Sequence, residues 1–378
     1  MEFLTSCTSF KAAAALLLLG AAAAFPSTQL DSLLAQGSQA LQQGRFALAE
    51  SDFRQALVLS PNSVEILNDL AISLVNQARV DEAIELYRRA LKIKPGDSIT
   101  TRNLAVAYFR GHYYEKARPL VEQVARDQPN FQSLDLAGLT LFALDQYRPA
   151  AEYLERASAL QPRDLATLNA LGNIYLRLHD YAKATDVFAR MLKADPNSAE
   201  AHVLMGMAYD KMSRNDDALA EYQAAERADP KFPGVHSGLG LIYWKQSKYA
   251  EAKREFEAEL SRYPNSPVSL CLLGQILQRE GNPSAARDYY QAAVNTNPNY
   301  QEALFGLGQT ELALNNPSAA IAPLQKAVKL NPNSVQAHFV LGTALKKVGR
   351  TREALAEQRT AEQIQAAQRA REAEKLNR

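Results

Sequence analysis

Five histidines, two cysteines and 41 carboxylates are the side chains from which this 378-residue chain could build metal or acid–base chemistry. Their spacing argues against it. No Cys-x-x-Cys and no His-Glu-x-x-His occurs, so the short patterns that seat zinc are missing. Cys7 and Cys271 are far apart, and Cys271 stands beside Leu270 and Leu272-Leu273, where a thiol reads as a small buried apolar group. Gly238-Leu239-Gly240 and Gly306-Leu307-Gly308 each supply two-thirds of a dinucleotide-binding fingerprint. Both lack the third glycine and lie inside stretches of helical period, so they read as packing. There is no phosphate-binding loop, and no carboxylates form a distinctive pair, so Asp and Glu read as a solvated face. With 42 Lys+Arg the net charge is +1, which gives no support to nucleic-acid or membrane-surface binding.

The elements behind these residues follow a 34-residue period, clearest at Leu165–Ser198. Leu168, Leu171, Gly172 and Tyr175 share one face of a first helix; Ala184, Val187, Phe188 and Met191 share one face of a second. His179-Asp180 breaks the pattern and caps the second helix. Asp195-Pro196-Asn197 ends the unit, because proline has no amide donor and drives its predecessor out of the helical region. That proline recurs at 61, 95, 129, 162, 196, 230, 264, 298 and 332. Ala49, Ala83, Ala117, Ala150, Ala184, Ala218, Ala252, Ala286 and Ala320 stand twelve residues before each. Gly37, Gly138, Gly172, Gly206, Gly240, Gly274, Gly308 and Gly342 mark a third place, with Ala71 and Ala105 in the gaps. Glycine inside a helix costs about 1 kcal/mol against alanine, so close helix packing is the expected return.

This combination resembles the tetratricopeptide repeat, with Gly172, Tyr175, Ala184, Phe188 and Pro196 as the matching markers of one unit. The resemblance covers about Leu30 to Gln368. It implies an all-α fold, a right-handed superhelical α-solenoid of about twenty antiparallel helices. The ten units lie near 30–63, 64–97, 98–130, 131–164, 165–198, 199–232, 233–266, 267–300, 301–334 and 335–368, within a solenoid spanning 25–368. The one short interval falls at Asn130–Phe131, where a local change of twist is expected. Pro119 and Pro149 are placed in first turns of second helices, Pro233 and Pro267 at starts of first helices, and Pro283 and Pro317 at starts of second helices. Pro323 lies deeper and is expected to kink its helix. His202, His236 and His338 occupy one early slot that usually holds a packing residue, too far apart to share a zinc. The tenth unit lacks its proline, so its second helix runs from about Arg352 to Leu376, with 369–378 as a polar end that reads as a solubilising cap.

Residues 1–24 stand outside this pattern. Ala12–Phe25 is an uncharged run after Lys11, too short to span a bilayer but suited to a signal peptide, with Ala22-Ala23-Ala24 as the cleavage site. Leu4-Thr5-Ser6-Cys7 has the shape of a lipobox, but the apolar core follows it instead of preceding it. The expectation is an exported protein of the periplasm or cell envelope, with no stable membrane span after cleavage; retention of the segment as an uncleaved anchor is the alternative.

The repeats fill the rest of the chain and leave no room for a catalytic domain. The sequence therefore reads as a non-enzymatic scaffold without cofactor or metal. The resemblance implies a concave groove lined by first helices that holds an extended peptide or partner protein, as in adaptors of cell-envelope assembly. The alternative is the substrate-recognition arm of an enzyme complex, such as a glycosyltransferase with a separate catalytic chain. Its ladder of asparagines is absent: Asn103 is followed by Leu136, Ala170, Leu204 and Gly238. In the late first-helix slot stand Gln42, Asn76, Arg110, Ala143, Arg177, Lys211, Lys245, Arg279, Ala313 and Lys347. Four consecutive cations there, Arg177, Lys211, Lys245 and Arg279, with Asn169, Asn173, Met207, Trp244, Gln275 and Gln278 around them, form the candidate binding site. A basic stripe for an acidic extended peptide, anchored by Trp244, is the expected specificity.

Overall fold

The computed structural model describes residues 25–376. The expected signal segment and Cys7 lie outside the described residues. Among those described there is no strand; the chain is an α-solenoid of antiparallel helix pairs. The first pairs are α1 (Phe25–Gln42) and α2 (Phe46–Leu59), α3 (Val64–Asn76) and α4 (Val80–Ile93), and α5 (Ser98–Arg110) and α6 (Tyr114–Asp127). Then come α7 (Phe131–Ala143) and α8 (Tyr147–Leu160), α9 (Leu165–Arg177) and α10 (Tyr181–Ala194), and α11 (Ala199–Lys211) and α12 (Asn215–Ala228). The last pairs are α13 (Val235–Lys245) and α14 (Tyr249–Arg262), α15 (Pro267–Arg279) and α16 (Pro283–Thr296), α17 (Gln301–Ala313) and α18 (Pro317–Leu330), and α19 (Val335–Lys347) and α20 (Thr351–Leu376). Two compact units divide within α10, the first ending at Val187 and the second beginning at Phe188.

Each boundary has a local cause. Two residues after the recurrent proline, Ser63, Asp97, Asp164, Ser198 and Ser334 cap the following first helix by accepting from the third backbone N–H. Asn130 does the same and its own N–H donates back to Ser133 Oγ at 3.1 Å, and this capping box sits where the interval is one residue short. Every first helix ends on a left-handed residue: Gly44, Ala78, His112, Asp145, His179, Ser213, Ser247, Gly281, Asn315 and Gly349. The next N–H turns back to a carbonyl near the helix end, as Arg79 does to Leu74 at 2.9 Å and Asp180 to Tyr175 at 2.9 Å. Asp180 then caps α10, accepting from Lys183 N–H.

Some boundaries differ from the sequence expectation. α1 begins at Phe25, ahead of Leu30. Pro267, Pro283 and Pro317 do open their helices, but Pro233 does not. There the helix opens at Val235 behind Gly234, whose φ is 86°. The Pro230–Gly234 segment is a run of turns, Phe232 N–H donating to the Asp229 carbonyl at 3.0 Å, and Gly234 takes the left-handed geometry that redirects the chain. Pro119 is the sixth residue of α6, deeper than a first turn. α18 runs unbroken through Pro323. α20 extends to Leu376 as its missing proline predicts.

The small slots are where the helices cross. Ala49, Ala83, Ala117, Ala150, Ala184, Ala218, Ala252, Ala286 and Ala320 are wholly buried. A Cβ at Gly138 would lie 2.5 Å from Leu154, and one at Gly240 would lie 2.6 Å from Phe256 of the same repeat. The first glycines of the two Gly-Leu-Gly runs serve the preceding repeat: a Cβ at Gly238 would lie 2.3 Å from the Tyr222 ring, and one at Gly306 2.4 Å from Tyr290. Both Gly-Leu-Gly runs are therefore packing devices.

Candidate partner-binding face

Within each unit, helices two apart in the chain meet along the first helices. In the first unit α1 touches α3, α3 touches α5, and α7 touches α9; α5 and α7 approach less, at the short interval. In the second, α11, α13, α15, α17 and α19 touch in succession. First helices therefore form the tighter, inner side of each unit. Polar side chains bridge this side at offsets of 32 or 35 residues: Asn68 donates to Thr100 Oγ1 at 2.7 Å and Thr167 to Asp135 at 2.8 Å, while Asn103 donates to Asn68 at 3.3 Å. Burial raises the Asp135 carboxyl above its ordinary value, and burial with the Glu65 charge pushes Asp69 up to about 7.

In the first unit Asn169 and Asn173 lie together, the Asn173 amide donating to the Asn169 carbonyl at 2.9 Å and to its Oδ1 at 2.5 Å. Arg177 is exposed on the last turn of α9 near Tyr147, whose hydroxyl donates to Asp145 at 2.5 Å and is held protonated by that bond, the Arg177 charge opposing it only in part.

In the second unit Met207 and Lys211 are exposed, and Lys211 pairs with no carboxylate among the described residues. Lys245 is different: its Nζ lies 2.5 Å from Asp210, whose side chain keeps only 4% of its exposure. Tyr222 is held protonated by its burial and by the Asp210 charge. Trp244 packs half-buried against the core of Phe256, Leu272, Leu273 and Ile276, and its indole N–H has no partner among the described residues. Gln275 hydrogen-bonds the Cys271 thiol, which burial pushes up to about 12, so this cysteine is inert. Gln278 accepts from the Tyr290 hydroxyl at 3.1 Å and reaches Gln309 at 3.5 Å. Arg279 stands 5.0 Å over the Tyr249 ring.

The structure thus joins Lys245 to Asp210, Asn169 to Asn173 and Gln278 to its neighbours, and leaves Lys211 and Arg279 as exposed cations. Sequence reasoning missed Asp210. It also missed that His202, His236 and His338 each face a glutamate nineteen residues later, a spacing that links first and second helices of one repeat.

Residues 34–98, 203–267 and 271–335, together more than half of the chain, match a family model described as the tetratricopeptide repeat. The chain belongs to the tetratricopeptide repeat family. Further tetratricopeptide models match residues 74–137 and 324–356, and one for anaphase-promoting complex, cyclosome, subunit 3 matches 145–225. Among curated relatives, the peroxisomal targeting signal receptor of Kluyveromyces lactis is 32% identical over 108 residues, 28% of this chain and 19% of the receptor. That of Candida glabrata is 41% identical over 70 residues, 18% of this chain and 12% of the receptor. The chain therefore spans less than a fifth of the length of these relatives. Among solved structures, yeast Tom70 aligns with 93% of this tetratricopeptide chain and 99% of its own at 16% identity and a TM-score of 0.48. MamA from Desulfovibrio magneticus RS-1 aligns with 45% of this chain and 98% of its own at 23% identity and a TM-score of 0.42.

Proposed function

We propose that this protein is a non-catalytic scaffold that holds an extended segment of a partner protein against the inner, first-helix faces of its repeats. One observation carries the reading. Late first-helix side chains of adjacent repeats reach one another, Lys245 to Asp210 and Gln278 to Gln309, so polar side chains link α11 to α13 and α15 to α17 along the inner side of the second unit. Met207, Lys211 and Arg279 stand exposed on it. Amide side chains suit the backbone groups of an extended peptide, and the two cations suit its carboxylates. The sequence relatives are receptors for a targeting signal, which fits a peptide-length ligand.

The Lys245 charge is matched by Asp210, so the acidic preference rests on Lys211 and Arg279 in this unit. The double change Lys211→Glu with Arg279→Glu should weaken binding of a partner segment captured from the cell envelope at least tenfold and flatten its salt dependence. Fluorescence anisotropy with the labelled segment reads this. Unchanged affinity would place the binding surface elsewhere, on the second helices or α20. Lys245 is left out because a glutamate there would face the buried Asp210.

Export belongs to the same proposal. The uncharged run before Phe25 and the small residues at Ala22–Ala24 support a cleaved leader and a role in the cell envelope. Mature protein starting at Phe25 in an envelope fraction is the expected result; a cytoplasmic product retaining Met1–Ala24 would refute it.

A further inference from the structure

His202, His236 and His338 hold the same place in their repeats, and the Nδ1 of each meets a glutamate: Glu221 at 2.7 Å, Glu255 at 2.8 Å and Glu357 at 2.5 Å. At His202 and His338 the other ring nitrogen reaches a proline carbonyl in the preceding turn, Pro196 at 3.3 Å and Pro332 at 3.0 Å. Both nitrogens are engaged and these two sites are closed. His236 breaks the rule. Its equivalent carbonyl, that of Pro230, accepts instead from Arg262 Nη1 at 2.5 Å, and Nε2 is left 3.4 Å from that guanidinium nitrogen, which offers it no strong bond.

The irregular turn is the cause. Because α13 opens two residues late, the N–H groups of Gly234 and Ser237 go to the buried carboxylate of Glu259, at 3.1 and 3.3 Å, and the Pro230 carbonyl does not bond His236. A second carboxylate, Glu226 near the end of α12, lies in range as well, at a place where the repeats of His202 and His338 hold Leu192 and Val328. One ligand atom from each of Glu226, His236 and Glu255 lies within 4.8 Å of the other two, and all three side chains are half-buried. Glu226 pairs with no cation among the described residues.

We propose that Glu226, His236 and Glu255 form a mononuclear site for a divalent transition metal of the zinc class. One imidazole nitrogen and two carboxylate oxygens are donors that zinc takes at about 2.0–2.2 Å, and three protein ligands leave a fourth position for water. The mixed nitrogen and oxygen set favours zinc over magnesium or calcium, which take oxygen alone. The two carboxylates match the charge of the dication. Arg262 is exposed and held by the Pro230 carbonyl; its charge opposes the ion, and it turns outward when the ion enters. The ion would join α12, α13 and α14 across the turn where the repeat pattern is interrupted.

The test is calorimetric titration of zinc chloride into the metal-stripped full chain, with magnesium chloride alongside. One equivalent of zinc and no magnesium should bind. Glu226→Gln and His236→Gln should each weaken zinc at least tenfold with unchanged circular dichroism, Arg262→Gln should tighten it, and His338→Gln should leave it unchanged. Absence of saturable one-to-one zinc binding by the wild-type chain would overturn the proposal. So would zinc affinity that survives both Glu226→Gln and His236→Gln, or that falls equally with His338→Gln.

Discussion

Removing the ammonium of Lys245 should test whether the cation slot of the seventh repeat is structural. In Lys245→Met the stem of the side chain is retained and the charge lost, which leaves the Asp210 carboxylate buried without its partner. Exposed pairs contribute about 0.2–1 kcal/mol, and breaking a fully buried pair from one side costs about 3–5 kcal/mol. Here the Asp210 side chain keeps 4% of its exposure and Lys245 keeps 33%, so one end is dry and one is wet. The expected loss falls between those limits, about 2–3 kcal/mol. For a unit of this size that lowers the melting temperature by roughly 5–10 °C. Stability in repeat arrays is a sum of local and neighbour terms, so hydrogen exchange should quicken in α11 to α14 and leave the first unit unchanged. Adding Asp210→Asn should recover at least about 1 kcal/mol, because a neutral amide is less costly to bury than a lone carboxylate. Denaturant titration of the wild type, both single variants and the double variant measures this coupling. A Lys245→Met loss below about 0.5 kcal/mol, the surface value, or a double variant as unstable as the two losses added, would refute the reasoning.

Two further outcomes follow from packing and charge. Gly238→Ala should cost about 1–3 kcal/mol, since its Cβ would lie 2.3 Å from the Tyr222 ring; a denaturant midpoint equal to wild type would show that the ring gives way freely. Asp69 is pushed from its ordinary value of 3.8 up to about 7 by burial and by Glu65, so between those values the folded chain holds a proton that the unfolded chain releases. Its contribution to stability is therefore lost as pH rises from about 4 to 7, and Asp69→Asn should raise the melting temperature at pH 8 but not at pH 4. An equal gain at both pH values would contradict that account.

The repeat was legible because it is written in local residues at fixed spacing. Proline at each unit's end, the capping Ser or Asp two residues later and the small crossing residues all act within one turn or one helix pair. The late-slot cations were legible as a column for the same reason. Their partners were not, because Lys245 meets a carboxylate 35 residues upstream on another repeat. The offsets of 32 and 35 join first helices of neighbouring repeats, so no single repeat contains them. Trp244 shows the same limit: its spacing put it on the inner face, but how much of it packs on Leu272 and Leu273 depends on the next repeat. The turn at Pro230–Gly234 was misread because proline before a helix commonly opens it. Here Gly234 took that role, and the displaced start freed His236.

The pairing of Tyr222 with Gly238 and of Tyr290 with Gly306 makes the order of repeats matter. In the same two places Phe256 is followed by Leu272, and Leu324 by Val340. A repeat thus carries a key on its second helix and a lock on its first, and the two are cut to different neighbours. Transplanting the eighth repeat behind the sixth would set the Leu272 side chain where the Tyr222 ring now lies. Placing the seventh behind the eighth would instead offer Gly238 to Tyr290, a match already made once in this chain. Recombination between copies of the gene segment, natural or engineered, would therefore be filtered by these contacts, and only some permutations of the ten modules would yield a folded array.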